Sequence, residues 1–213
     1  MAEIIKILEI IGTIAFAVSG ALVAIGANLD IIGVVFLGCI TAVGGGILRD
    51  IILGITPPSA FVSFEFCAVA AVVSVIVFVV SMLVGSKFSR VRDKIEQVNN
   101  FFDAIGLAAF TITGAEIACI HGYYDNAFIV VVLGMITGVG GGIFRDILSD
   151  TTPAVLRKHI YALASVCGAV LFFIIRKYVN TPSAATVLSM LLVFAIRMLA
   201  TKYRWSLPKI EQK

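Results

Sequence analysis

The run Gly44-Gly45-Gly46-Ile47-Leu48-Arg49-Asp50 returns as Gly140-Gly141-Gly142-Ile143-Phe144-Arg145-Asp146, and each copy lies inside a long apolar stretch. In hydrocarbon both features are unfavourable: glycines leave backbone uncovered, and an Arg-Asp pair carries charge where water is scarce. A chain that keeps both, twice, reads as a membrane protein built from two copies of one unit with a polar pathway between them.

The match extends outward from these runs. Residues 11–21 (Ile11-Gly12-Thr13 through Ser19-Gly20-Ala21) align with 105–115 (Ile105-Gly106-Leu107 through Thr113-Gly114-Ala115). Leu37-Gly38 and Thr41 align with Leu133-Gly134 and Thr137, and Thr56-Pro57 with Thr152-Pro153. The offset is 94 residues between Gly12 and Gly106 and 96 between Arg49 and Arg145, so a short insertion falls in the loop between the two stretches.

Composition sets the solvent. The chain is 60% hydrophobic and 14% charged, with a mean hydropathy of +1.08, against about 45–50% apolar residues in soluble domains. Apolar spans long enough to cross about 30 Å of hydrocarbon as helix lie at Ile4 to Ile25, Ile31 to Leu53, Phe61 to Val84, Phe101 to Ile120, Ala127 to Leu148, His159 to Ile175 and Ala184 to Ala200. The first has no basic segment before it and outruns a signal peptide's apolar core, so it reads as retained. The fold class is an all-α membrane protein of seven transmembrane helices. Residues 1–84 form a first three-helix repeat, 85–100 a polar cytoplasmic linker, 101–178 a second repeat, and 179–213 a seventh helix and cytoplasmic tail. Because three is odd, the second repeat enters the membrane from the opposite side, giving an inverted-topology pair.

Charge orients it. Lys87, Arg90, Arg92, Lys94, Arg157, Lys158, Lys202, Arg204, Lys209 and Lys213 fall on one face, and Lys6, Arg176 and Lys177 on the other. The richer face is cytoplasmic, which puts the N-terminus outside and the C-terminus inside. The net charge of +3 is explained by loops anchored to anionic membrane lipids and calls for no nucleic acid. Cys39, Cys67, Cys119 and Cys167 fall within spans, without CxxC spacing, and read as small apolar residues rather than metal ligands or disulfides. His121 and His159 read as groups at the membrane interface.

Three consecutive glycines disfavour helix by about 1 kcal/mol each against alanine, so Gly44, Gly45, Gly46, Gly140, Gly141 and Gly142 mark a kink or break. Backbone freed there is tolerated only in the protein interior or along water, so both broken helices are expected to face inward. Arg49, Asp50, Arg145 and Asp146 are charged positions near the mouths of such a pathway, either clamps or gates. Neighbours at i and i+1 do not face each other on a helix, so each arginine is expected to pair with an acid on another helix: Glu9, Glu65, Asp103 or Glu116. Hydroxyls at Thr13, Ser19, Thr41, Thr111, Thr113 and Thr137 offer a polar lining. The glycine runs do not complete the G-x-G-x-x-G dinucleotide fingerprint, and no βαβ pattern accompanies them.

Two GGGxxRD runs in the second and fifth helices, a three-plus-three inverted repeat and a seventh helix resemble the trimeric intracellular cation (TRIC) channel family in its prokaryotic branch. The resemblance covers residues 5–200. It implies a homotrimer with an hourglass pore in each protomer between the kinked helices, conducting monovalent cations, chiefly potassium, in the plasma membrane, with potassium or sodium ions as permeant species and no cofactor. Animal members carry a Lys-Glu-Val stretch tied to lipid and calcium regulation, and no Lys-Glu dipeptide occurs here, so that regulation is not carried over. The alternative is a secondary transporter of a small solute such as glycine, which an inverted repeat suits equally well. No nucleophile-base pair or metal cluster falls in the spans, so an enzyme is not expected.

Overall fold

The computed structural model describes residues 2–84, 92–157, 160–179 and 181–205, and they contain helices and no strand. Nine α-helices run along these residues: α1 (Ala2–Gly26), α2 (Ile31–Ile52), α3 (Ser59–Val62), α4 (Glu65–Val84), α5 (Arg92–Ala118), α6 (Ala127–Leu148), α7 (Ala154–Arg157), α8 (Ile160–Ile174) and α9 (Pro182–Lys202). Seven of them are long and apolar enough to cross a membrane: α1, α2, α4, α5, α6, α8 and α9. The seven expected spans are therefore all helical. Phe61 lies in the separate short helix α3, and α5 starts at Arg92, so part of the polar stretch before Phe101 is helical. Residues 85–91 of that stretch, with Lys87 and Arg90, lie outside the described residues, as do Lys158, His159, Lys209, Lys213 and the side chains of Arg92, Lys94 and Arg157.

The helices that carry the repeated motif begin alike. The Asp30 side chain accepts a hydrogen bond from the Gly33 N–H (2.8 Å), and Asn126 accepts one from Ile129 N–H (3.2 Å). Each satisfies one of the donors a helix start leaves open. Both helices then run 22 residues, about 33 Å of rise and enough to span hydrocarbon. Their ends match as well, with Leu53 N–H donating to Arg49 C=O and Ser149 N–H to Arg145 C=O.

The centre of the bundle is α1 and α5 packed with α2 and α6, and small residues let their backbones approach. Ala15, Ala17, Ala21, Ala104, Ala108 and Ala115 are all fully or almost fully buried there. Helix α4 presents the opposite surface, with Val72, Ile76, Val80 and Leu83 exposed on the protomer. In a bilayer that surface is not a liability, because acyl chains are as apolar as the side chains they touch. Cys39, Cys67, Cys119 and Cys167 are free and partly buried, in keeping with their reading as apolar residues.

Of the kink or break expected at the glycines, the break is corrected. The helices do not break at Gly44, Gly45 and Gly46 or at Gly140, Gly141 and Gly142; α2 and α6 continue through both triplets. Inside a membrane, helix satisfies every backbone donor and acceptor, which outweighs glycine's propensity deficit when packing holds the segment in place. The glycines serve contact instead. A Cβ built on Gly45 would fall on the carbonyl oxygen of Thr137, and one on Gly141 on the carbonyl oxygen of Thr41. At Gly140 it would lie 3.0 Å from the Gly45 Cα. The two triplets are thus the crossing point of α2 and α6, backbone against backbone.

Candidate functional site: two charged mouths and the waist between them

Arg49 and Arg145 sit near the C-terminal ends of α2 and α6 and are both almost fully buried. Each bonds the aspartate next to it, which corrects the expectation that sequence neighbours would not meet. Arg49 Nε donates to Asp50 Oδ1 at 2.8 Å and Arg145 Nε to Asp146 Oδ1 at 2.8 Å. The reason lies beyond the helix end. Asp50 Oδ2 accepts from the Ser59 backbone N–H (2.7 Å) and Asp146 Oδ2 from the Ala154 N–H (2.6 Å). Those bonds hold each carboxylate at the start of α3 or α7, and the long arginine side chain folds back along its own helix to reach it.

Each arginine also has a second acid on another helix, as expected from the cost of isolated charge. Arg49 Nη1 lies 3.8 Å from Glu9 on α1, and Arg145 Nη1 lies 2.7 Å from Asp103 Oδ1 on α5. Glu9 and Asp103 are 94 residues apart, the repeat offset of these two helices. Of the other acids considered, Glu65 pairs with Lys6 (3.1 Å) and Glu116 with Arg176 (3.4 Å).

A cavity adjoins each cluster. The first, about 40 Å³, is lined by Glu9, Thr13, Gly46, Arg49, Asp50 and Phe110 among others. The second, about 390 Å³, is lined by Glu96, Asn99, Asp103, Arg145, Asp146 and Arg197 among others. They lie toward opposite ends of the bundle: Glu9 lines one and Gly26 the other, on the same helix and about 25 Å apart at 1.5 Å per residue.

Between them is a packed waist. The rings of Phe16 and Phe110 stand 5.3 Å apart between centroids, tilted by 40°. A Cβ on Gly12 would touch the Phe110 ring and one on Gly106 the Phe16 ring, so each phenylalanine sits on the glycine of the opposite repeat. Thr41 and Thr137 are fully buried beside the crossing, and each hydroxyl donates to the carbonyl one turn back, Leu37 and Leu133, at 2.6 Å. Thr113 does the same to Ala109 (2.9 Å), and Thr111 shares a hydrogen bond with Ser165 (2.7 Å). Threonine in apolar helices habitually bonds its own backbone this way. Thr13 faces the smaller cavity. Ser19 accepts from Arg145 Nη1 (2.6 Å) and donates to Asn99 Oδ1 (2.7 Å).

Two residues that the sequence reading passed over complete the Arg145 cluster. Tyr161 on α8 donates to Asp103 Oδ1 at 3.0 Å, and Arg197 on α9 lies 3.5 Å from Asp103 Oδ2 with its guanidinium 4.5 Å from the centre of the Tyr161 ring. Arg197 had a visible signal: a lone arginine within an apolar span. Tyr161 had none apart from its place near the start of α8. Among the described residues, no group of three or more His, Cys, Asp or Glu side chains could hold a metal ion.

The sequence matches the family described as Glycine transporter over residues 6–82 and again over 100–177, once in each half. It is 36% identical over 203 residues to the UPF0126 membrane protein YvgT of Bacillus subtilis, covering 95% of both chains. Two solved structures are similar over nearly their whole length. One, described as the structural basis for conductance through TRIC cation channels, has a TM-score of 0.83 and 36% identity, covering 98% of each chain. The other, a prokaryotic TRIC channel crystallised in 0.5 M KCl, has a TM-score of 0.85 and 34% identity, covering 97% of this chain and all of that one. With the seven-helix fold, these matches show that the chain belongs to the TRIC channel family, in its prokaryotic branch.

Proposed function

We propose that the protein is a cation channel, with potassium and sodium as permeant ions and one pore per protomer running from the Glu9-Arg49 cavity past the α2–α6 crossing to the Asp103-Arg145 cavity. The observation that carries the reading is the pair of charged cavities at opposite ends of α1, separated by the short waist of Phe16, Phe110 and the glycine crossing. A passive pathway needs water-accessible mouths, weak polar sites and a narrow barrier between them, and the arrangement supplies each. Thr13 and Gly46 contribute to one mouth and Ser19 to the other. Gly44, Gly45, Gly140 and Gly141 hold the two helices at the distance that sets the waist. Thr41, Thr111, Thr113 and Thr137 stand behind it, and helix rearrangement at the crossing would turn their hydroxyls and the carbonyls they cover toward a passing ion.

The test is purified protein in a planar bilayer with KCl and NaCl gradients, with glycine uptake into liposomes measured on the same preparation. Ohmic single-channel currents reversing near the cation equilibrium potential support the channel. Saturable glycine uptake without unitary currents would establish the carrier instead, a reading favoured by the Glycine transporter description of the family.

Two further expectations belong here. The family's trimeric members and the exposed apolar faces of the protomer support a homotrimer, and light scattering in mild detergent should return three times the 22.7 kDa chain mass. Lys202 at the end of α9 and Arg204 just beyond it support a cytoplasmic C-terminus and, across seven spans, an external N-terminus in the plasma membrane. A reporter fused after Lys213 should read cytoplasmic and one placed within residues 122–126 external; both on one side would remove the inverted repeat.

A further inference from the structure

The buried charges of the two clusters are not equal, and the difference comes from a helix outside the repeat. On the Arg49 side one guanidinium faces two carboxylates, Glu9 and Asp50. On the Arg145 side the matching set, Arg145 with Asp103 and Asp146, is joined by Arg197 from α9. Among the buried groups the repeat gives each cluster one net negative charge, and Arg197 cancels it beside Asp103, leaving the exposed Glu96 at the rim as that cavity's excess negative charge.

Arg197 is also held loosely for so buried a cation. It is 2% exposed, yet among the described residues its one carboxylate contact, to Asp103 Oδ2, is 3.5 Å long and its Nε has no hydrogen-bond partner. Arg145, by contrast, holds Asp103, Asp146 and Ser19 at 2.6–2.8 Å. Arg197 lines the 390 Å³ cavity whose most buried acid is Asp103. An ion in that cavity meets a carboxylate already shared with an arginine of the chain itself.

From this the geometry points to Arg197 as a tethered counter-cation that sets how strongly the Arg145 mouth gathers permeant cations: it competes with them for Asp103 and raises the ion concentration needed to fill that side of the pore. The inference rests on the channel reading. A unit charge about 7 Å away in water-like surroundings changes the local cation concentration about threefold. The effect belongs to dilute salt, since the screening length is about 10 Å at about 0.1 M and about 3 Å at about 1 M. Glu96, exposed at the rim of the same cavity, is present with or without Arg197 and leaves the comparison unchanged.

Single-channel conductance of wild type, Arg197→Gln and Arg197→Lys in symmetric KCl tests it. In about 0.1 M KCl the glutamine variant should conduct about threefold more than wild type, converging with it by about 1 M, while lysine, which keeps the charge, should stay near wild type. A merely structural role for Arg197 would lower expression or open time in both variants without this salt-dependent rise. Glutamine conductance equal to or below wild type in dilute salt overturns the inference. If Arg197→Gln does not assemble, Arg197→Met, which also removes the charge but keeps the bulk of the stem, takes its place, and conductance equal to or below wild type in dilute salt overturns the inference. Wild-type protein that passes no current at all overturns the channel reading and this inference with it, an outcome distinct from conducting wild type with unaltered variants.

Discussion

Gly45→Ala and Gly141→Ala are each expected to prevent recovery of a monodisperse, folded protein, whereas Gly46→Ala, one position along, is expected to be tolerated. At Gly45 the new methyl group would coincide with the carbonyl oxygen of Thr137, and at Gly141 with that of Thr41. Overpacking a core costs typically about 1–3 kcal/mol when side chains can move aside. Here the obstacle is the backbone of a neighbouring helix, which cannot change rotamer, so α2 and α6 must separate. The loss should exceed the upper end of that range, far above the gain of about 1 kcal/mol in helix propensity. At Gly46 the nearest atom to a new Cβ is the Arg49 guanidinium, 3.7 Å away, so the substitution keeps the propensity gain without a clash. Thermal unfolding in detergent followed by circular dichroism and size-exclusion chromatography decides the matter. A Gly45→Ala protein as stable as wild type would mean that the two helices are not in backbone contact. Because Gly46 lines the smaller cavity, its alanine variant also serves the channel reading, where a methyl at the mouth should reduce conductance in a folded protein.

These glycines show what a sequence can and cannot carry. Their duplication marked a place where the two halves meet, because both repeats need small residues where their backbones cross. Whether the helix breaks at that place depends on what packs against it, and propensity alone does not register the neighbouring backbone that holds α2 and α6 unbroken. The spans were legible because hydrocarbon imposes length and hydropathy on every crossing helix. The second partners of the arginines were half legible. Four acids were available, and Glu9 and Asp103 are the two of them related by the repeat offset of 94 residues. The bonds from each arginine to its own neighbour were hidden, because they depend on backbone N–H groups of Ser59 and Ala154 that turn the aspartates back past the helix end. Arg197 and Tyr161 were hidden differently. They come from α9 and α8 and break the symmetry on which the sequence reading leaned, so no repeat partner announced them.

That broken symmetry yields the second large expected effect, an unequal response of the two repeat-related acids. Asp103 is almost fully buried, accepts from Arg145 at 2.7 Å and Tyr161 at 3.0 Å, and is 3.5 Å from Arg197. Asp103→Asn removes the charge and leaves two buried guanidiniums with Asp146 as the remaining buried carboxylate lining that cavity among the described residues. Breaking a buried ion pair by removing one partner costs about 3–5 kcal/mol, because the remaining charge loses its compensation. For a chain of this length that corresponds to a fall in melting temperature on the order of 10 °C. Glu9 has the matching place but not the matching environment: its side chain is 22% exposed and 3.8 Å from Arg49, which keeps a 2.7 Å contact with Asp50 in any case. Pairs of this loose, partly hydrated kind contribute about 0–1 kcal/mol, so Glu9→Gln should move the melting temperature by a few degrees at most. Parallel melts of the two variants give the comparison, and equal shifts would mean that the mouths are energetically alike despite Arg197. Adding Arg197→Gln to Asp103→Asn sharpens it. Taking away the cation that Asp103 was neutralising should restore part of the lost stability, since the two changes act on one contact and are not additive. A double variant as unstable as the sum of the singles would show that Arg197 does not share Asp103, and that the charge balance of this mouth is set elsewhere.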